Sequence, residues 1–143
     1  MPTPNRNKRG FTLIELLIVM VILGLLTALV GPRMFGHVSS SKIKAARAQI
    51  EMMGTALDTF RLDYGRYPKT EEGLVILWNK PGDEQFATQW RGPYLKKKVD
   101  KDPWGNPYVY GAPGEHGEYD LSSLGADGKP GGAGDDADIN SWE

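Results

Sequence analysis

The sequence predicts an α+β fold: a long N-terminal helix packed on a small antiparallel sheet, followed by an irregular acidic loop at the C-terminus. Three observations carry this. Residues 11–30 form one apolar run broken by a single charge, Glu15. Beyond it, Ala46, Ile50, Met53, Leu57 and Phe60 recur at alternating steps of four and three, which is one narrow helical stripe. Two strand-like stretches, DPWGNPYVY (102–110) and EYDLSSL (118–124), then flank the turn-rich GAPGEHG (111–117), the pattern of a paired hairpin.

In chain order, residues 1–10 are a polar leader with Arg6, Lys8 and Arg9, no acid, and Gly10 at its end. The twenty residues Phe11 to Val30 that follow are about enough to cross a bilayer as a helix. An ordinary secretory signal places small residues beyond a shorter apolar core. Here the processing site falls on the near side, between Gly10 and Phe11, so the apolar segment is kept. The positive-inside rule holds the leader in the cytoplasm and sends residues 31–143 across the membrane. The expected division is therefore a removed leader (1–10), a transmembrane and assembly helix (11–30) and an exported head (31–143).

Past the anchor, Gly31-Pro32 is expected to kink or locally unwind the helix, because proline removes a backbone hydrogen bond. The stripe from Ala46 to Phe60 then continues it, and Phe11 to Leu62 would extend about 78 Å at 1.5 Å per residue. Ile50, Met53 and Leu57 read as core beneath the head. From Asp63 the pattern changes. Gly65 stops the helix, Thr70 is the expected N-cap of a short helix holding Glu71 and Glu72 in its first turn, and Gly73 ends the acidic pair. Leu74, Leu77 and Trp78 would bury one side of it. Residues 79–93 read as an irregular connection, and the two stretches of the hairpin follow.

Composition narrows the function. About 110 residues beyond the anchor suffice for one small domain. Without Arg6, Lys8 and Arg9 the chain keeps 14 basic residues against 18 acidic ones, a net −4, which suits nucleic-acid binding poorly. There is no cysteine, so an exported head lacks the staple that small domains in oxidising compartments often use. No nucleophile elbow, P-loop or Cys/His pair is present, and His37 and His116 show no evident catalytic partner. No enzymatic chemistry is expected. The tail LGADGKPGGAGDDADIN places Asp127, Asp135, Asp136 and Asp138 among five glycines between Leu124 and Ile139. From composition alone a solvated acidic loop and a cation site are about equally good readings, because hard cations take carboxylates and backbone carbonyls in flexible loops.

The leader NKRGFTLIEL resembles that of type IV pilins and type II secretion pseudopilins. YGRYPKTEEGL, GPYLKK, DPWGNPYVY and YDLSSLGADG resemble the framework of the major pseudopilins of type II secretion, so the likeness covers nearly the whole mature chain. It implies a pilin-like fold, cleavage after Gly10 by a prepilin peptidase and N-methylation of Phe11. It also implies Ca2+ in the C-terminal loop. Asp127 and Asp138 frame that site best, Asp135 and Asp136 lie on the return with one of them facing water, and the Leu124 carbonyl is the expected backbone ligand.

A carboxylate at the centre of a spanning helix costs roughly 2.5–3.5 kcal/mol on insertion scales and somewhat less near the interface, so Glu15 is expected to have a partner. The new amine of Phe11, on the same subunit or a neighbour, is the candidate. The implied function is a structural subunit polymerising into a periplasmic pseudopilus that drives export of folded proteins across the outer membrane. Its implied partners are copies of itself, minor pseudopilins and an inner-membrane assembly platform. A type IV pilin or competence pseudopilin is the alternative; many such pilins close their C-terminal region with a disulfide, which this chain lacks.

Overall fold

The computed structural model describes residues 10–143, without the side chains of residues 32–36; the leader charges Arg6, Lys8 and Arg9 lie outside the described residues. The first helix, α1, runs Leu13–Tyr64. It passes through Gly31-Pro32 without an interruption. The expected local unwinding is therefore corrected: one missing hydrogen bond is bridged by the helical bonds on either side of it.

The chain divides into two compact units after Val38. In the first, Leu13–Gly31 is a helix long and apolar enough to cross a membrane. Its side chains are exposed all round, Leu13 at 89% and Leu29 at 70%, as expected of a surface that meets lipid or other chains.

The second unit, residues 39–143, holds the core. Ala46, Ile50, Met53, Ala56, Leu57 and Phe60 of α1 are all buried, together with Ile76, Leu77, Leu95, Leu121 and Ile139. The stripe read from spacing is thus core, each large side chain contributing about 1.5–3 kcal/mol by its burial. Gly65 ends α1: its N–H reaches the Arg61 carbonyl at 2.7 Å with φ +71°, a left-handed stop that glycine adopts without strain.

Beyond it the Thr70 expectation is corrected. Residues 74–77 form a 3-10 turn whose N-cap, Gly73, makes no side-chain cap. Glu72 folds back instead, accepting from Lys69 N–H at 2.6 Å and from the Arg66 guanidinium at 2.6 and 2.8 Å. The Arg66 bonds hold the Glu72 carboxyl below its ordinary range. Thr70 serves the hairpin, its hydroxyl accepting from Ala112 N–H at 3.0 Å and donating to Ala112 C=O at 3.2 Å. Leu77 is core as expected, and Ile76 joins it.

Residues 79–93 are not wholly irregular. A second helix, α2 (Glu84–Gln89), is capped by Asp83, which accepts from Gln85 N–H at 2.9 Å and Phe86 N–H at 3.1 Å. Phe86 meets the Tyr64 ring at 4.9 Å and Trp90 donates to the Ile76 carbonyl at 2.9 Å, which fastens the connection to α1 and to the turn at 74–77.

The hairpin forms as expected from β1 (Val109–Gly111) and β2 (Asp120–Ser123), with Tyr110 opposite Leu121. A third antiparallel strand, β3 (Ile139–Asn140), adds to β2 and brings the C-terminus back, giving the order β1-β2-β3. Ile139 anchors the tail in the core, but Trp142 is 39% exposed and stacks on His116 at 3.9 Å. His116 in turn lies 3.0 Å from the Asp120 carboxylate through Nδ1, so the hairpin turn has a partner the sequence did not suggest.

Candidate functional site

Two places in the chain concentrate chemistry. At the start of α1, Thr12 and Glu15 form a reciprocal cap. Thr12 N–H and Oγ donate to Glu15 Oε2 at 2.9 and 3.1 Å, while Glu15 N–H donates to Thr12 Oγ at 3.2 Å. This capping box satisfies two helix-end donors at once. The T-x-x-E spacing at 12–15 was its signal in the sequence. Phe11 beside it is 84% exposed.

Among the described residues no atom lies within 4 Å of a Cβ added at Gly10. Gly10→Val is therefore expected to insert normally yet stay uncut, since the branched side chain meets no obstacle among the described residues and would obstruct a peptidase. Intact-mass analysis should find residues 1–10 retained in the variant and lost from wild type, with a methyl group gained. A mature chain starting near Gly31 would overturn this.

The second place is the C-terminal loop between β2 and β3. Its outgoing arm starts at Leu124 and its return carries a 3-10 turn at Gly134–Asp136. The arms meet where Ala126 N–H donates to the Asp135 carbonyl at 2.8 Å. Gly125, with φ +66°, is needed at that meeting: a Cβ there would stand 2.7 Å from the Asp135 carbonyl oxygen and 2.9 Å from that of Ala137.

Three of the four acids have separate engagements. Asp127 Oδ1 accepts from Lys129 N–H at 3.0 Å, closing its own turn. Asp135 Oδ1 accepts from the Ser39 hydroxyl on α1. Asp138 Oδ2 crosses the loop to Gly131 N–H at 2.8 Å, and Asp136 is exposed. Among the described residues no three His, Cys, Asp or Glu stand arranged as a metal-holding group.

One observation nevertheless fits a cation. Asp138 Oδ1 is buried with no hydrogen-bond partner, a costly state for a carboxylate oxygen. The carbonyls of Asp135 and Ala137 converge beside Gly125 on the same return. Carboxylate and backbone oxygens of this kind are what a hard cation takes.

An exposed apolar helix opening on a capped carboxylate, joined in sequence to a small three-stranded head, defines a pilin-like, membrane-anchored subunit. Comparison with known proteins makes that class specific. Residues 33–142 match the family model of type II secretion system protein G, and residues 5–31 match the prokaryotic N-terminal methylation motif. The type II secretion system core protein G of Pseudomonas aeruginosa is 46% identical over 97% of this chain and 98% of its own length. That of Vibrio cholerae is 42% identical over 96% and 93%. The crystal structure of the major pseudopilin from the type 2 secretion system of enterohaemorrhagic Escherichia coli is similar with a TM-score of 0.61. It is 31% identical, covering 76% of this chain and 92% of that one. The chain belongs to the type II secretion system protein G family, the major pseudopilins.

Proposed function

We propose that this chain is the structural subunit of a type II secretion pseudopilus, polymerising in the periplasm to drive folded proteins across the outer membrane. The observation that carries the reading is the exposed apolar face of Leu13–Gly31 opening on Glu15. Such a face needs lipid before assembly and neighbouring subunits after it. The leader stays cytoplasmic, the helix spans the inner membrane and the head is periplasmic. A prepilin peptidase cuts between Gly10 and Phe11 and methylates the Phe11 amine. Glu15 then exchanges the Thr12 cap for the amine of a neighbouring subunit, and a charge–charge contact in low dielectric outweighs a neutral cap. Minor pseudopilins and an inner-membrane assembly platform are the remaining partners.

Calcium belongs to the same reading. Asp138 and Asp127, with the Leu124 carbonyl and either Asp135 or Asp136, would hold it. The ion would tie the outgoing arm to the return, replacing the disulfide that the chain lacks.

Deleting the gene and comparing secreted proteins, surface pili and DNA uptake tests the function. Loss of secreted proteins with pili and DNA uptake intact is the expected result. Intact secretion with lost pili or lost uptake would make the chain a type IV pilin or a competence subunit.

A further inference from the structure

The turn DPWGN (102–106) contains a carboxylate that the turn alone does not require. Asp102 is 5% exposed. Its Oδ1 does the local work, accepting from Trp104 N–H at 3.0 Å and Asn106 N–H at 2.9 Å. The turn is completed by Asp102 N–H to the Asn106 carbonyl at 2.8 Å and Gly105 N–H to the Asp102 carbonyl at 3.0 Å. An exposed Asp, Asn or Ser would serve a turn of this kind equally well. Asp102 instead turns its second oxygen inward, where Oδ2 accepts from the Ser123 hydroxyl at 2.6 Å. Burying a carboxylate is costly unless its bonds are well made, so the inward bond calls for its own reason.

That reason lies at the mouth of the C-terminal loop. Ser123 is fully buried at the end of β2. With its proton committed to Asp102, its oxygen faces the Gly125 N–H at 3.4 Å. From the other end of the same turn, Asn106 donates through Nδ2 to the Gly125 carbonyl at 2.7 Å. The Asn106 side chain also lies 3.2–3.3 Å from where a Cβ on Gly128 would stand. Both sides of Gly125 are thus held by residues that Asp102 orients. Gly125 is the residue against which the returning arm packs, and the neighbouring Ala126 N–H joins the arms.

We propose that Asp102 is a positioning residue for the cation loop, setting the junction at Gly125 and Ala126 through Ser123 and Asn106 before an ion binds. The proposal rests on the calcium reading for its ligand and on the hydrogen bonds for its geometry. Partners that orient ligands from outside a metal site commonly govern its affinity.

The test uses the full chain in detergent micelles, with two readouts. One is the calcium Kd by titration calorimetry; the other is amide exchange at Ala126 in chelator, which needs no metal. Asp102→Asn keeps an acceptor for Trp104 and Asn106 but presents an amide to Ser123, which then has to accept where it now donates. Ser123→Ala leaves every bond of the turn intact and removes the hydroxyl that links Asp102 to Gly125, losing both the inward bond and the acceptor for Gly125 N–H, so it carries the test if the first variant fails to fold. Each is expected to raise the Kd by about 10- to 100-fold and to speed Ala126 exchange at least about tenfold, with exchange of α1 core amides unchanged. The double variant should be no worse than the more affected single one, because both cut the same path. Unchanged Kd and unchanged Ala126 exchange in Ser123→Ala would overturn the proposal. So would equal losses of thermal stability with and without calcium at constant Kd, the mark of a turn that only supports the fold. If wild type binds no calcium, the calcium reading fails by itself and Ala126 exchange alone decides the positioning role.

Discussion

Glu15→Leu is expected to insert into the membrane at least as well as wild type and to assemble no fibres. Insertion improves because a carboxylate near the start of the span is gone, a group that costs roughly 2.5–3.5 kcal/mol at the centre of a span and less near its end. In the unassembled chain the substitution removes the capping box with Thr12, a loss of about 1 kcal/mol at the helix end. That loss is too small to unfold a helix continuing to Tyr64. Assembly fails because the neighbour's Phe11 amine enters an apolar bundle with nothing to pair with, and an unpaired buried charge costs several kcal/mol. Fibre yield and the secreted fraction of an exoprotein should both fall to background, with the membrane level of the subunit unchanged. Normal fibre yield would deprive Glu15 of its assembly role. Thr12→Val separates the two functions of the carboxylate: it removes the hydroxyl from the cap, leaves Glu15 free to pair, and should assemble.

Calcium is expected to raise the melting temperature of the head by about 10–15 °C. At free calcium near 100 times the Kd, mass action contributes about 2.7 kcal/mol, and a domain of roughly 110 residues converts that into such a shift. All four tryptophans, Trp78, Trp90, Trp104 and Trp142, lie in residues 39–143, so their near-ultraviolet signal reports the head even in the full chain. Asp138→Ala should abolish most of the shift, because it removes a buried carboxylate oxygen that has no donor among the described residues. Asp127→Ala should do so too. Asp135→Ala should cost less, since Asp135 is already engaged by Ser39 and Asp136 stands beside it. Magnesium should substitute poorly, because it holds its waters and demands a tighter octahedral shell. Identical melts in chelator, calcium and magnesium would leave the loop as solvated acid.

The features legible in the sequence were those with a period or a local signature. Ala46, Ile50, Met53, Leu57 and Phe60 announced their burial because one helix face gathers all five. The hairpin was legible because its turn is dense in glycine and proline. Two elements were not. A two-residue strand such as Ile139–Asn140 is too short to alternate, and it pairs only because the loop returns it to β2. The α2 helix is six residues long, and its only sign was Asp83 before Glu84-Gln85.

Thr70 illustrates a competition. It is a good cap by type, but Arg66 captured Glu72 and the hairpin offered Ala112 instead. The acids of the loop were legible as composition, and their separate engagements were not: Asp135 meets a serine 96 positions earlier. At Asp102 the sequence displayed a turn residue. Only the fold reveals that its second oxygen faces Ser123.

On the proposed function, this chain is processed and then built into a fibre. The most direct measurement is the intact mass of the chain recovered from fibres sheared off cells that overexpress it with its secretion system. The predicted result is residues 11–143 plus one methyl group as the main component. Fibres that lack this chain, or that carry it with residues 1–10 still attached, would contradict the account.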